Sequence, residues 1–190
     1  MKNENLNKCV DLSKFDNSWY DIGRGKFCVL IWYFTNVLFI KNRFNPSSTF
    51  KVLALRAFGA QVGKNCVIKP GVNIKYPWNL RVGDNVWIGE DVWIDNLAKV
   101  EIGSNACISQ GTMLLCGNHN YNSSTFDLMI GEIHIEEGAW VGAQSVVCPK
   151  VTMKSHSVLS VGSVASSNLE AYSIYRGNPA IKVKDRVVSD

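Results

Sequence analysis

From Val62 onward, aliphatic side chains recur every six residues. Val62, Ile68 and Ile74 form one set, Val82, Ile88 and Ile94 a second, and Ile102, Ile108 and Leu114 a third. Ile135, Val141, Val147, Met153 and Leu159 continue the count. The position four after each anchor is small or β-branched, as in Cys66, Val72, Val86, Val92, Ala98, Ala106 and Thr112. Ala139, Ser145, Val151, Ser157 and Ser163 obey the same restriction. Trp78 and Asn118 break it, both where the chain leaves the count. A period of six suits neither a lone helix nor a flat strand. It suits a three-sided solenoid, in which each hexapeptide supplies one short strand and one corner. The aliphatic anchor fills the interior, and coils must stack because one coil cannot bury its own core. Gly63, Gly83, Gly89, Gly103 and Gly142 follow anchors directly, as tight corners require.

The first anchors Val62, Val82 and Ile102 lie 20 apart, but Ile102 to Ile135 spans 33. The surplus of 33 − 20 = 13 residues predicts an excursion on the third side of the third coil. The expected fold is an all-β solenoid of parallel triangular coils, about five in number, over residues 60–184. The excursion covers 115–132, an N-terminal segment 1–59, and a tail 185–190.

Within the N-terminal segment, residues 27–40 read FCVLIWYFTNVLFI between Lys26 and Lys41. Fourteen apolar-rich residues predict a helix too short to span a bilayer, which takes about 20 residues. Such a helix packs on its own domain or on a neighbouring subunit, or rests on the inner face of a membrane. Net charge is +4, with Lys and Arg scattered, which gives no support to nucleic-acid binding. The six cysteines form no CxxC pair and no secretory leader opens the sequence. Free thiols in a reducing cytoplasm are the expectation.

VGDNVWIGEDVWI and IEEGAWVGAQSVVCPKVTMKSHSVLSVGSV resemble the hexapeptide-repeat acyltransferases. GNHNY in the excursion, GAWVGA after it and GNPA near the C-terminus resemble the sugar O-acetyltransferases among them. RAFGAQVGKNC and the run from WNLRVGDNVW to GNHNY are similar to the colanic-acid type of exopolysaccharide acetyltransferase. The resemblance implies a left-handed parallel β-helix. It also implies a cytoplasmic homotrimer with sites between subunits, acetyl-CoA as donor, and a saccharide or its lipid-linked precursor as acceptor.

A sugar hydroxyl needs a base as it attacks a thioester, and imidazole changes charge close to neutral pH. His119 is the candidate: the register puts it at an outward corner at the root of the excursion, and the resemblance gives that position the base's role. Its orienting partner cannot be named from sequence. Asn118, Asn120 and Tyr121 are candidates for the acceptor pocket, as are Asp95 and Asn96, between which the register does not choose. Asp and Asn also suit corner turns for their own sake. Cys116 is the challenger as a covalent nucleophile. His119, His134 and His156 are 15 and 22 residues apart, which does not suggest a metal site.

Trp87, Cys107 and Trp140 share a register and should stack on one outer face, with Trp93, Met113 and Val146 on the next. Exposed tryptophans suit subunit packing or sugar stacking. The resemblance places Trp140, Gly142 and Ala143 against the pantetheine of acetyl-CoA, with Ser160 and Val161 in the next coil. Ser166 falls where the family often has Thr–Lys, and Ser167 replaces that Lys. Arg176 and Lys182, beside the closing GNPA, are the candidates for the coenzyme A phosphates. The rival functions are N-acylation of an amino sugar, metal-dependent chemistry as in the carbonic-anhydrase-like branch, and a non-catalytic scaffold.

Overall fold

The computed structural model describes residues 9–189. Its body is a β-solenoid whose coils each contribute one strand to three sheets. Coil one is β1 (Gln61–Val62), β2 (Val67–Ile68) and β3 (Asn73–Ile74). Coil two is β4 (Leu80–Val82), β5 (Trp87–Ile88) and β6 (Trp93–Asp95), and coil three β7 (Val100–Ile102), β8 (Cys107–Ile108) and β9 (Met113–Leu115). An antiparallel hairpin, β10 (Gly117–His119) with β11 (Leu128–Ile130), then leaves the body. Coil four is β12 (Ile133–Ile135), β13 (Trp140–Val141) and β14 (Val146–Val147). Coil five is β15 (Thr152–Met153), β16 (Val158–Leu159) and β17 (Val164–Ala165).

We call the sheets A, B and C after the first, second and third strand of each coil. Within each, neighbouring coils pair in parallel: Val62 with Val82, Ile68 with Ile88, Ile74 with Ile94. All fourteen predicted anchors are buried. The structure goes beyond five coils. Leu169 bridges to Met153 as the start of a sixth, whose second side, β18 (Ser173–Gly177), joins sheet B and folds back antiparallel into β19 (Ala180–Asp185). The end of the expected coil region is thus a hairpin rather than more solenoid.

Corners repeat as faithfully as strands. Asn65, Asn85 and Asn105 all take positive φ at the A–B corner, at 55°, 57° and 60°. Their amides form a ladder of 3.2 Å hydrogen bonds up the coils. Asn tolerates this left-handed conformation better than other residues with a Cβ.

The N-terminal segment closes the open end of the prism. Coil-one amides donate to coil-two carbonyls, which leaves coil-one carbonyls without a lower neighbour. Helix α1 (Lys26–Thr35), a π-turn over Asn36–Ile40, and helix α2 (Ser48–Ala57) supply the missing donors. On side A, Arg56 donates to the carbonyls of Val62 and Gly63. On side B, the fully buried Lys51 ammonium donates to Ile68 and Lys69 at 3.1 and 2.9 Å. On side C, the Trp32 indole N–H donates to Ile74 and Lys75. Edge strands left bare invite edge-to-edge pairing, and a covering helix blunts it.

Candidate active site

The hairpin starts where sheet C meets sheet A, straight after β9. Gly117 has little alternative there: a Cβ would sit 2.6 Å from Leu97 Cδ1. His119 is the last residue of β10, opposite Leu128. It therefore lies at the outer end of the hairpin ladder, not at the root as the six-residue register suggests, because residues 117–119 form a new antiparallel strand instead of turning a corner.

His119 Nδ1 is 2.9 Å from the backbone carbonyl of Phe126. A carbonyl only accepts, so Nδ1 carries the proton in the neutral imidazole and Nε2 keeps its lone pair. No described residue hydrogen-bonds Nε2. The Phe126 ring stacks on the imidazole at 4.3 Å and 8°, and Phe15 abuts it at 5.6 Å. Phe126 has φ of 52°, a conformation that costs a bulky L-residue about 1–2 kcal/mol. A short network holds it: Thr125 Oγ1 donates to Asp127 at 2.6 Å and shares a 2.6 Å contact with Ser123 Oγ. These hydroxyls keep the Asp127 carboxyl below the usual carboxylate range. Outside the loop, the Asp11 amide donates to Ser124 at 2.8 Å, so the N-terminal strap pins it.

The ring faces a cleft of about 480 Å³. Asn118 and Asp95 line it with His119, as do strap residues Phe15 and Tyr20 and the coil-one residues Lys75 and Tyr76. The Lys75 ammonium lies 2.9 Å from Asp95 Oδ1, near enough for charge pairing but not aligned for a hydrogen bond. Tyr20 donates to the Leu97 carbonyl at 2.7 Å. Burial, then the nearby Tyr76 and Asp95, push its phenol far above the ordinary tyrosine range, so it remains a neutral donor.

Other candidates fall elsewhere. Asn96 is fully buried, its amide exchanging hydrogen bonds with the Tyr76 backbone. It fastens coil two to coil one and is not available to a sugar, so Asp95 alone of the pair reaches the cleft. Tyr121 is 75% exposed at the loop tip, outside the cleft lining. Asn120 is spent on the loop's own turns. Cys116 is 0% exposed, and burial pushes its thiol up to about 12. Sequence reading missed Phe15, Tyr20, Lys75 and Tyr76, since no periodicity links the N-terminal strap or the connection between β3 and β4 to the excursion.

The predicted donor side lies on a different edge. Gly142 and Ala143 form the B–C corner of coil four, and Ser160 and Val161 the same corner of coil five. A Cβ on Gly142 would stand 2.6 Å from the Val161 amide nitrogen, so the two corners are in backbone contact. Trp140, on outer sheet B, pairs with Cys107, which pairs with Trp87. Arg176 is the penultimate residue of β18, beside this corner, and the next amide, that of Gly177, donates to Ser163 Oγ at 3.0 Å. Ser166 is one side away, past the end of β17, and does not join the corner. Lys182 is turned toward Asp185 at 2.6 Å. Within one chain, the B–C corner and the His119 hairpin at the C–A corner do not meet.

Another concavity, about 630 Å³, is on sheet A and lined in part by Arg81, Glu101 and His134. Its charges satisfy one another: Arg81 and His134 lie 3.3 and 3.0 Å from Glu101, and Lys99 contacts the same carboxylate. It presents neither a free base nor an enclosed wall. Among the described residues, no three His, Cys, Asp or Glu side chains gather as a metal site.

No protein-family model matches the chain. The Escherichia coli protein that carries the name colanic acid biosynthesis acetyltransferase WcaF is 38% identical over 141 residues, 74% of this chain and 78% of that one. The chain belongs to this family of hexapeptide-repeat acetyltransferases. It is an enzyme of the acetyltransferase class. Galactoside O-acetyltransferase of Escherichia coli is 26% identical over 153 residues, 76% of this chain and 73% of that one. A hexapeptide-repeat acetyltransferase of Vibrio cholerae has the same left-handed β-helix, with a TM-score of 0.76, 18% identity and coverage of 84% and 91%. That protein has also been crystallised with acetyl coenzyme A.

Proposed function

We propose that this acetyltransferase moves the acetyl group of acetyl-CoA to a sugar hydroxyl of an exopolysaccharide or its lipid-linked precursor. His119 is the general base. The observation that carries the reading is the 2.9 Å bond from Nδ1 to the Phe126 carbonyl, which leaves Nε2 as the acceptor beside a polar cleft. The acceptor hydroxyl gives its proton to Nε2 as its oxygen attacks the thioester carbonyl. The C–S bond then breaks, and the departing thiolate takes the proton from the imidazolium. Asp95 accepts from other hydroxyls of the acceptor, Asn118 accepts from or donates to them, and Tyr20 and Tyr76 offer faces on which a pyranose can rest. The buried, neutral thiol of Cys116 supports direct transfer over an acyl-enzyme.

The donor lies along Trp140, Gly142, Ala143, Ser160 and Val161, with Arg176 toward the phosphates and Lys182 and Ser166 as secondary contacts. Because the donor corner and His119 sit on different edges of one prism, the working unit is a homotrimer whose sites combine His119 of one subunit with the corner of the next. The test is an acetyl-CoA turnover screen against free sugars, nucleotide sugars and lipid-linked saccharides. O-acetyl product on a saccharide is expected. Transfer confined to amino sugars would favour N-acylation, and no binding of acetyl-CoA by calorimetry would overturn the reading.

A further inference from the structure

Eleven of the twenty-five large hydrophobic side chains that are exposed among the described residues lie between Phe27 and Leu53. They are not scattered. On α1 and the π-turn, Phe27, Leu30, Ile31, Phe34 and Leu38 follow helical spacing and are 42–76% exposed. The opposite stripe, Trp32, Asn36 and Ile40, is buried against coil one. Phe39 packs on Phe50 at 5.4 Å, which carries the apolar surface onto α2. Since α1 and α2 cap the prism through Trp32, Lys51 and Arg56, this surface faces away from the solenoid at its N-terminal end. Monomeric soluble proteins rarely leave so continuous an apolar face bare.

The charge around it is one-sided. Residues 22–59 contain Arg24, Lys26, Lys41, Arg43, Lys51 and Arg56 and no Asp or Glu. With six positive charges here and +4 overall, the rest of the chain carries 4 − 6 = −2. Lys51 and Arg56 are used inside the cap, and Arg43 pairs with Asp91 at 2.7 Å. Arg24, Lys26 and Lys41 are exposed at the rim and form no ion pair among the described residues. An apolar helical stripe with a basic rim is the pattern of an interfacial helix on an anionic bilayer. α1 is too short to do more: no described helix is long and apolar enough to cross a membrane.

A groove of about 370 Å³ connects this face to the acceptor side. It begins at Val29, Tyr33 and Val37 and reaches Lys75, Tyr76 and Asp95, which also line the His119 cleft. A headgroup-proximal saccharide would thus find an apolar-to-polar path ending at the base. We propose that the α1–α2 face docks the protein onto an anionic membrane surface. The path to the cleft rests on the acetyl-transfer reading; the docking itself does not. In a trimer of parallel prisms the three faces share one plane, so weak contacts add.

The test is flotation of the full chain with vesicles of phosphatidylglycerol and phosphatidylethanolamine, and with phosphatidylcholine alone. Co-flotation with the anionic vesicles is expected, weakened in about 1 M salt, where screening acts over roughly 3 Å. The double variant Leu30→Glu/Phe34→Glu should lose flotation while its melting temperature and acetyl-CoA binding stay unchanged, since both side chains point to solvent. Lys26→Glu/Lys41→Glu should lose most of the anionic preference. Failure of the wild type to float, or flotation of the Leu30/Phe34 variant, would overturn the proposal. So would a smaller assembly for that variant in light scattering, because a second copy would then be what covers the face. Flotation needs no turnover, so a protein that floats but transfers no acetyl group would sink the enzymatic reading and leave the docking intact.

Discussion

Phe126 acts on His119 twice, by carbonyl and by ring, and neither contact has a sequence signature. Any residue offers a carbonyl, and only the folded loop decides which one meets Nδ1. His119 itself was legible, because it is one of three histidines and sits where the count of six fails. The choice between Asp95 and Asn96 was not, because neighbouring residues at a corner alternate between cleft and core, and only the Tyr76 pairing of Asn96 separates them. Two substitutions divide the chemistry. His119→Ala should lower kcat by about a hundredfold to ten-thousandfold, the usual contribution of a positioned base. It should leave the affinity for acetyl-CoA near that of the wild type. Cys116→Ala should leave turnover unchanged, with a stability loss of about 1 kcal/mol from the small cavity. An acetyl-thioester trapped on Cys116 and lost in the alanine variant would reverse these roles.

At the scale of elements, the solenoid was legible because its core demands one anchor per hexapeptide, and burial of all fourteen follows from that one constraint. The cap was not. Trp32, Lys51 and Arg56 come from separate turns of helix and find coil-one carbonyls more than a dozen residues away in two of three cases, with no period to link them. The apolar run 27–40 was read as a helix, and it divides into α1 and a π-turn. Lys51 tests the cap. Burial lowers its pKa, so Lys51→Met relieves some desolvation. It also strips two carbonyls of a charged donor, and a buried unsatisfied acceptor costs about 1–3 kcal/mol. The second effect should win. A denaturant melt should show a net loss of about 1–3 kcal/mol with the solenoid's circular dichroism intact. A more stable variant would mean that the helices, not the donors, close the prism end.

At the scale of the whole molecule, one prism holds the proposed donor corner and the proposed base on different corners. The B–C corner of Gly142, Ala143, Ser160 and Val161 and the C–A hairpin of His119 are separated by the width of sheet C. Trp93 is 38% exposed on that face, with Met113 and Val146 half-buried in register beside it. A neighbouring subunit laid there would cover apolar surface and bring its own corner toward the hairpin. Mixed assemblies can read this out. His119→Ala removes the proposed base. Val161→Trp, at a side chain 69% exposed, should obstruct the donor corner without disturbing the core. Each variant alone should be inactive. When the two are unfolded, mixed in equal amounts and refolded together, a site is whole only where a Val161→Trp chain supplies His119 and a His119→Ala chain supplies the corner. For random cyclic trimers that is about one site in four, so about a quarter of wild-type activity should return. If both halves came from the same chain, every site would carry one lesion or the other, and mixing would restore nothing.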